Sequence, residues 1–417
     1  MKKPISLPHF FFMPTTACPA NCHYCFSPIS AQKMNDETLK KTISWVKASV
    51  DSFYEENHND FNEKSPPYLR FTYHGGEPLF MGKEFVKASL ELLDDMRIPF
   101  RKYISFQSNL WLLDQDFCQL FKDYQVRVGT SLDGPEKITD NQRGKGYFQK
   151  TMKGIDLLRK NDIPVSCICT FTKENAPYYE EVFNFFTKEN LNFKFFMVQP
   201  TMDKEIDSKL YLTEDKQVEL VESLLHLYLL NPGKIRIPTL DILGLSLTTR
   251  MSGGFVQGNC IGRQLAIGPE GGIYNCQMFV GHEKYKWGTV FDTNSLSGIY
   301  QMPGWLDFQK WQSIQKHNCR NCSYGDICTG GCIYNAIMAN DGVLDTNRKD
   351  PNCQANKEVM NKINAIQQQA MSLSEHDGQD PINYSDERLA IIKSFRNLLQ
   401  AFWKNRSTQY GKRDTPL

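Results

Sequence analysis

Short apolar or β-branched runs alternate with longer segments of helical period from residue 9 to about residue 232. Short apolar runs bounded by turn residues are typical of strands, and apolar residues three and four positions apart are typical of helices. The pattern predicts strands at 9–14, 68–73, 102–107, 126–131, 164–171 and 192–198. It predicts helices at 36–55, 84–96, 114–123, 147–161, 176–188 and 214–230.

Strand–helix repeats in series imply a parallel sheet with right-handed crossover connections. The predicted fold class is therefore α/β, a curved and partly closed (β/α)6 barrel, with an open doubly wound sheet as the alternative. Catalytic residues of such barrels gather on the loops that follow the strands. The unusual residues obey this rule, because a cysteine triplet and the segments 73–78, 107–109 and 131–135 follow the first four predicted strands in turn.

The strand–helix rhythm stops after about residue 232, where the chain becomes rich in Gly, Asn and Cys. Only short β-like pieces remain, at 265–267 and 272–274, before helical patterns return at 354–371 and 385–403. We predict a barrel domain at 1–232, a small cysteine-held domain at 233–372, and a helical tail with a frayed end at 373–417. The polar stretch 57–67 is interpreted as a solvated surface insertion.

Charge and composition exclude several classes of protein. The 417 residues include 48 Lys and Arg against 47 Asp and Glu, and 41% of them are hydrophobic. These values argue against wholesale disorder and against a highly basic nucleic-acid binder. No apolar run approaches the ~18 residues that a membrane span needs, and no secretory signal is visible. We therefore expect a cytoplasmic protein with neither nucleic acid nor membrane as a partner.

Thirteen cysteines require an explanation, because thiols in the cytoplasm stay reduced and disulfides are rare there. An isolated odd triplet near the start and a second group of seven far along the chain favour metal ligation over a disulfide framework. Three more cysteines, Cys118, Cys167 and Cys169, lie between the two groups and are interpreted as core residues.

The triplet Cys18, Cys22 and Cys25 offers three thiolates within eight residues. Iron–sulfur clusters normally take four cysteines, so three suggest a cluster whose fourth iron is left to a substrate or cofactor. A zinc site that borrows a distant His or Cys is the alternative.

With the Gly-Gly-Glu-Pro segment at the end of the second strand, the triplet resembles that of the radical S-adenosylmethionine (SAM) superfamily. The resemblance implies a [4Fe–4S] cluster that chelates SAM and cleaves it to a 5′-deoxyadenosyl radical. It implies cofactor-binding roles for Tyr24, Gly75, Gly76, Glu77, Gln107, Ser131 and Arg143. In particular, Gly75 and Gly76 would let the backbone approach the methionine amino group, and Arg143 would pair with the SAM carboxylate. His74 and Asn109 are interpreted as turn or cap residues.

The second group comprises Cys260, Cys276, Cys319, Cys322, Cys328, Cys332 and Cys353. It resembles the SPASM extension of radical SAM enzymes, which carries two auxiliary iron–sulfur clusters. The resemblance assigns Cys319, Cys322, Cys328 and Cys353 to the distal cluster. Three cysteines remain for the proximal cluster, namely Cys260, Cys276 and Cys332. That cluster would therefore have three thiolate ligands for its four irons. A zinc ribbon at residues 319–332 is the alternative.

The resemblance implies an enzyme with SAM and three [4Fe–4S] clusters that modifies a peptide or protein, for example by a thioether or carbon–carbon crosslink. A sulfatase-type formylglycine maturase, a small-molecule radical dehydrogenase and a non-enzymatic iron–sulfur scaffold or redox sensor are the alternatives. We expect a separate electron donor such as flavodoxin or ferredoxin.

One position departs from the sulfatase maturases, which carry an aspartate, thought to be the general base, where this chain has Gln277. An amide cannot accept the substrate proton at neutral pH. Gln277 is therefore interpreted as a positioning residue, and Asp203 is the candidate for proton handling.

Overall fold

The computed structural model describes residues 7–28, 30–61, 67–98, 100–202, 208–250, 260–375 and 385–409. The strands of the first part are β1 (His9–Phe12), β2 (Tyr68–Tyr73), β3 (Arg101–Gln107), β4 (Arg127–Ser131), β5 (Val165–Phe171) and β6 (Phe193–Met197). The helices are α1 (Asp36–Asn57), α2 (Lys83–Asp95), α3 (Gln115–Asp123), α4 (Glu136–Arg143), α5 (Tyr147–Lys160), α6 (Tyr179–Lys188) and α7 (Glu214–Leu230). All six predicted strands are confirmed. The predicted helices are also found, while α4 was not predicted because its mostly polar residues carry no apolar stripe.

The strands form one sheet in the order β6-β5-β4-β3-β2-β1-β7-β8-β9, and each neighbouring pair from β1 to β6 is parallel. A doubly wound sheet would reverse its strand order partway, because its helices cover both faces. The consecutive order shows that this alternative is wrong and that the predicted partial barrel is correct. Among the described strands, β6 and β9 are the two edges, so the barrel is open.

The outer face of the sheet packs against the helices. Along β1, Phe10 and Phe12 are fully buried there, and the Phe10 ring meets Trp45 of α1 edge-on at 6.4 Å. Tyr73 and Phe106 of neighbouring strands stack with their ring centroids 3.9 Å apart. Burying side chains of this size contributes about 1.5–3 kcal/mol each to folding. This layer holds the strand ends in place.

The three intermediate cysteines belong to this same core. Cys167 and Cys169 lie on the outer face of β5, and Cys118 lies in α3; each is at most 1% exposed. Their interpretation as packing residues is confirmed.

The second part of the chain continues the barrel sheet. Strand β7 (Gln264–Ile267) pairs in parallel with β1, and β8 (Gly272–Tyr274) and β9 (Gly288–Thr289) follow in antiparallel orientation. The β-like pieces predicted at 265–267 and 272–274 are thus confirmed. Because β7 lies beside β1, the second cysteine group is brought toward the loop that carries the triplet. The domain boundaries at 232 and 372 stay predictions.

The remaining helices are α8 (Pro238–Thr249), α9 (Leu296–Ile299), α10 (Pro303–Asn318), α11 (Gly325–Cys328), α12 (Ile333–Met338), α13 (Cys353–Glu375) and α14 (Asp386–Gln409). Helices α13 and α14 confirm the two helical segments predicted near the end, and both pack on α7. Helices α8 and α10 were not predicted.

None of the helices in the described ranges is long and apolar enough to cross a membrane. Of the predicted surface insertion, residues 62–66 lie outside the described residues.

Candidate active site

A cavity of about 340 Å³ lies where the carboxyl ends of the barrel strands face the second part of the chain. It brings together the predicted residues Cys18, Cys22, Tyr24, Cys25, Gly75, Gly76, Glu77, Gln107, Ser131, Arg143, Cys276, Gln277 and Cys332. Cys260, Cys319, Cys322, Cys328 and Cys353 do not line it. The candidate Asp203 lies outside the described residues. In the described part of the chain, no three His, Cys, Asp or Glu side chains are grouped as for a single metal ion.

The triplet lies on the loop after β1, and all three of its thiols line the cavity. Cys25 N–H donates to the Cys22 carbonyl at 3.2 Å, and Ala20 N–H points at the Cys18 sulfur at 3.4 Å. Burial raises the pKa of Cys18 to about 12 and that of Cys22 to about 11. Without a metal these two thiols therefore stay protonated, and a bound cluster would take them as thiolates.

Asn109, interpreted from the sequence as a turn residue, has two roles. Its Oδ1 accepts from Trp111 N–H at 3.0 Å, which is the turn role. Its Nδ2 donates to the Cys18 sulfur at 3.7 Å, which ties the loop after β3 to the triplet.

The two glycines after β2 support the triplet loop. Gly75 has φ +123°, and a Cβ there would stand 2.3 Å from the Thr15 carbonyl oxygen. A Cβ on Gly76 would stand 2.3 Å from the Ala17 oxygen and 2.4 Å from the Thr16 oxygen. Gly76 N–H donates to the Thr15 carbonyl at 3.0 Å. The close approach visible in the structure is thus to the backbone of residues 15–17, and the predicted approach to the methionine amino group stays a prediction.

Gly76→Ala is expected to displace the triplet loop, because its Cβ would overlap two rigid backbone oxygens. Overpacking of this kind costs about 1–3 kcal/mol, and the variant should lose the iron held by the triplet. Gly244→Ala in α8 is the matched control, since its Cβ meets only the Phe395 ring at 3.6 Å. Iron content and urea unfolding of the two variants test this. Normal triplet iron in Gly76→Ala would contradict it.

Glu77 lines the cavity wall, yet its carboxylate is turned into the protein. Its Oε1 accepts from Ser108 Oγ at 2.7 Å and Leu79 N–H at 3.0 Å, and its Oε2 accepts from Asn109 N–H at 2.7 Å. Burial raises the pKa of this carboxyl to about 7, although the three hydrogen-bond donors act to lower it. The contacts in the structure make Glu77 a link between the loops after β2 and β3, a role that the sequence did not indicate.

Gln107 and Ser131 end adjacent strands and meet inside the cavity. Gln107 Nε2 donates to Ser131 Oγ at 3.1 Å. Both side chains are half-buried and keep polar atoms available for a ligand. Their predicted place at the ends of strands β3 and β4 is found, and their binding role stays a prediction.

Arg143 is held by a carboxylate that the sequence analysis had not assigned. Its Nε and Nη2 donate to the two oxygens of Asp133 at 2.8 and 2.9 Å. Asp133 is fully buried and also accepts from Tyr24 O–H at 2.6 Å and Thr170 N–H at 2.8 Å. Burial alone would lower the pKa of Arg143, but Asp133 raises it above its usual range.

These contacts join two loops, strand β5 and the end of helix α4 at one buried carboxylate. Tyr24 comes from the triplet loop, Asp133 from the loop after β4 and Thr170 from β5. The guanidinium fork predicted to bind the SAM carboxylate is thus occupied by Asp133, so the structure favours a positioning role for both Arg143 and Tyr24. Direct binding of the SAM carboxylate by Arg143 stays a prediction.

The second cysteine group separates into two sets. The first, which we call the proximal set, is Cys260, Cys276 and Cys332. Burial is the main cause that raises the pKa of Cys332, and the Asp350 carboxylate, Cys260 and Cys276 raise it further. Cys276 and Cys332 line the cavity, and Cys260 accepts from Asn275 Nδ2 at 3.6 Å.

The other set, the distal set, is Cys319, Cys322, Cys328 and Cys353. Burial raises the pKa of Cys328 to about 12, and Cys353 and Cys319 are among the charges that add to it. Cys322 N–H donates to the Cys319 carbonyl at 3.0 Å, and the Cys322 side chain is exposed. The division of the seven cysteines into ligands of two clusters stays a prediction.

Gln277 follows Cys276 at the start of a short 3-10 helix, Gln277–Phe279. Its side chain lines the cavity, and its Oε1 is buried without a hydrogen-bond partner among the described residues. An acceptor left without a donor costs about 1–3 kcal/mol, so a donor from a ligand would be favoured there.

The sequence model of the Radical SAM superfamily matches residues 12–186, which include the triplet, both glycines, Asp133 and Arg143. The chain belongs to this superfamily. It is accordingly an enzyme of the radical SAM oxidoreductase type, with an iron–sulfur cluster that works with SAM. The alternatives of a zinc site at the triplet and of a non-enzymatic scaffold are therefore wrong.

Two relatives show how far the likeness of this radical SAM chain extends. An uncharacterized protein of Methanothermobacter thermautotrophicus is 33% identical over 234 residues, which cover 56% of this chain and 84% of that protein. The cysteine-type anaerobic sulfatase-maturating enzyme of Clostridium perfringens is 23% identical over 363 residues, which cover 82% of this chain and 92% of that enzyme.

Solved structures share the fold. Native anSMEcpe with bound AdoMet and Cp18Cys peptide matches with a TM-score of 0.71 at 22% identity, over 86% of this chain and 99% of that one. Streptococcus suis SuiB bound to precursor peptide SuiA matches with a TM-score of 0.60 at 15% identity, over 84% and 76% respectively. The radical SAM barrel and its cysteine-rich, SPASM-type extension are thus the shared architecture.

Proposed function

We propose that this radical SAM enzyme oxidatively modifies a side chain of a ribosomally made peptide or protein, forming a crosslink such as a thioether or a carbon–carbon bond. The observation that carries the proposal is the single cavity that reaches from the triplet to the proximal set. A substrate there lies between a site for SAM and a second cysteine set that can accept an electron.

The chemistry of the cavity wall supports a peptide ligand. Beyond the cysteines, its wall contains many carboxamide side chains, namely Gln199, Gln217, Gln264, Asn352 and Asn356. Carboxamides both donate and accept hydrogen bonds, which matches the alternating N–H and C=O groups of a peptide backbone. The peptide-bound structures of anSMEcpe and SuiB, which share this fold, support the same class of substrate.

The cysteine sets support three [4Fe–4S] clusters: one on the triplet, one on the distal set and one on the proximal set. When bound, SAM and the triplet cluster supply hydrogen abstraction by a 5′-deoxyadenosyl radical. Gly75 and Gly76 hold the triplet loop against β2, and Gln107 and Ser131 offer hydrogen bonds to the cofactor. Electrons come from a separate carrier such as flavodoxin or ferredoxin.

A formylglycine maturase is the second candidate, and the relatives favour it equally, because the Clostridium perfringens enzyme matches most of this chain. Gln277 argues against it, since an amide cannot serve as a general base at neutral pH. Asp203 is the carboxylate that we propose for proton handling in its place.

Gln277→Asp is expected to retain turnover of the native substrate within about tenfold, a change of about 1.4 kcal/mol in the barrier. The reason is that Gln277 positions the substrate through an acceptor oxygen, which aspartate also offers. The test compares the turnover of Gln277→Asp with that of Gln277→Ala in preparations of equal iron content. A complete loss in Gln277→Asp with its clusters intact would mean that the amide itself is needed.

The experiment for the proposed function uses the reconstituted enzyme, SAM, dithionite and short cysteine-containing peptides taken from neighbouring reading frames. A peptide crosslink should appear as the loss of two hydrogens from the peptide mass and should keep pace with 5′-deoxyadenosine. A product peptide whose cysteine has been converted to an aldehyde-bearing residue would instead identify the enzyme as a formylglycine maturase.

A further inference from the structure

The half of the barrel interior near the amino ends of the strands carries positive charge that the active site does not use. Side chains alternate between the two faces of a strand, so the residues between the buried outer-face side chains point into the barrel. Along β1 to β6 the inward positions include four cations, namely Arg70, Arg101, Arg127 and Lys194. No Asp or Glu occupies an inward position of these six strands. This end of the interior is therefore basic.

Three of these cations form what we call the basic layer: Arg70 of β2, Arg127 of β4 and Lys194 of β6. Tyr103 is the register partner of Arg70, and the Arg127 guanidinium lies 4.9 Å from the centre of the Tyr103 ring. Burial lowers the pKa of Lys194, and the charge of Arg70 lowers it further. The charges of the basic layer are thus close enough to act on one another across the barrel.

His9 of β1 lies beside the basic layer. Its Nε2 shares a hydrogen bond of 2.7 Å with Thr72 Oγ1. Burial lowers the pKa of His9 to about 3. The charges that lower it further are those of Arg70, Lys194 and His74. His9 is therefore neutral, and the charged groups that act on it are all basic.

The basic layer has no counter-charge in the described part of the chain. Neither Arg70 nor Lys194 forms a hydrogen bond or an ion pair with a described residue. Arg143, the buried cation of the active site, is by contrast paired with Asp133. Cations that are held together without an anion repel one another and destabilise the folded chain. A ligand that brings negative charge would remove this repulsion.

The basic layer is open to solvent and separate from the active-site cavity. Arg70 and Arg127 are exposed even though their positions point into the barrel. None of the residues of the layer lines the active-site cavity. Phe196, the inward residue that follows Lys194 on β6, does line it. An anion can therefore reach the layer from the amino-end mouth of the barrel without passing the site for SAM.

We propose that the basic layer binds a phosphate group, either inorganic phosphate or the phosphate of a monoester. The guanidinium groups of Arg70 and Arg127 are planar forks that match phosphate oxygens, and the Lys194 ammonium adds a compact charge. Ser166, the exposed inward residue of β5 between β4 and β6, offers a hydroxyl donor. The inference is independent of the proposed function, because no residue of the active-site cavity takes part.

Calorimetric titration of the full-length enzyme with inorganic phosphate, at an ionic strength kept constant with chloride, tests the site. We expect saturable binding of one phosphate per chain. Lys194→Met and Arg70→Gln should each weaken it by about tenfold or more, the usual effect of losing a charged hydrogen bond. Lys122→Met is the matched control, because Lys122 is an exposed lysine of helix α3, and it should leave binding unchanged.

The same titration with glycerol 3-phosphate identifies the source of the phosphate group. Tighter binding of glycerol 3-phosphate than of inorganic phosphate would support a phosphate monoester as the ligand. Tighter binding of inorganic phosphate would support the free anion.

Urea unfolding distinguishes a binding site from a merely structural role of the cations. Lys194→Met keeps an apolar stem of similar length and removes the charge. In phosphate-free buffer this variant should unfold at the same urea concentration as the wild-type protein or at a higher one, because the repulsion is relieved. Saturating phosphate should stabilise the wild-type protein and leave Lys194→Met unchanged.

The inference would be overturned if the wild-type enzyme bound no phosphate, or if Lys194→Met bound it equally well. Unfolding of Lys194→Met at a lower urea concentration in phosphate-free buffer would also overturn it, because the cation would then stabilise the chain through contacts of its own. Each result is separate from the proposed function, which is tested by 5′-deoxyadenosine and peptide mass.

Discussion

Cys18→Ala, Cys22→Ala and Cys25→Ala are each expected to abolish SAM cleavage while the auxiliary iron remains bound. The three thiols line one cavity and belong to one short loop, and no other thiol lies close to them in sequence. A cluster deprived of one of its three protein ligands cannot hold its open iron in place for SAM. The expected effect is a complete loss of 5′-deoxyadenosine.

Iron analysis and product analysis check this expectation together. The triple variant should lose about four irons per chain, the content of one [4Fe–4S] cluster. Cys118→Ala is the matched control, because Cys118 is a fully buried core residue and its replacement should leave the iron content unchanged. Full cleavage activity in any of the single triplet variants would refute the assignment of the triplet.

Arg143→Ala is expected to lower the free energy of unfolding by about 3–5 kcal/mol, because it leaves the Asp133 carboxylate buried without its cation. Asp133 is fully buried and the Arg143 side chain is 7% exposed, so water cannot replace the lost partner. The Tyr24 and Thr170 contacts of Asp133 would weaken with it, and the triplet loop would lose an anchor.

Urea unfolding of the metal-free protein under anaerobic conditions measures this effect. Arg250→Ala is the matched control, since Arg250 also forms a forked pair, with Asp326, but both side chains are about half exposed. Such a surface pair contributes about 0–1 kcal/mol. Equal stability losses in the two variants would contradict the buried-anchor role of Arg143.

Most of the barrel could be predicted from the sequence because each strand and helix carries its own local pattern. Helices α8 and α10 were not predicted, although buried residues recur at helical spacing in both: Leu240, Leu243 and Leu247 in α8, and Trp305, Phe308 and Trp311 in α10. The continuation of the sheet from β1 into β7 was also invisible, because pairing of strands this distant in sequence leaves no local signal.

The cysteine ligands were recognisable because their spacing is a local property of the chain. The hydrogen-bond partners of the polar residues could not be recognised from the sequence. Arg143 and Glu77 were expected to face the cofactor, whereas Asp133 and the loop after β3 engage them. A signal for Asp133 was present, since an aspartate that ends a buried strand must find donors inside the protein.

The most direct test of the account is the formation of 5′-deoxyadenosine by the reconstituted full-length enzyme with SAM and dithionite under anaerobic conditions. We expect the wild-type enzyme to form this product, and we expect its amount to increase further when a suitable peptide fills the cavity. A wild-type enzyme that carries the triplet cluster and binds SAM but forms no 5′-deoxyadenosine would contradict it.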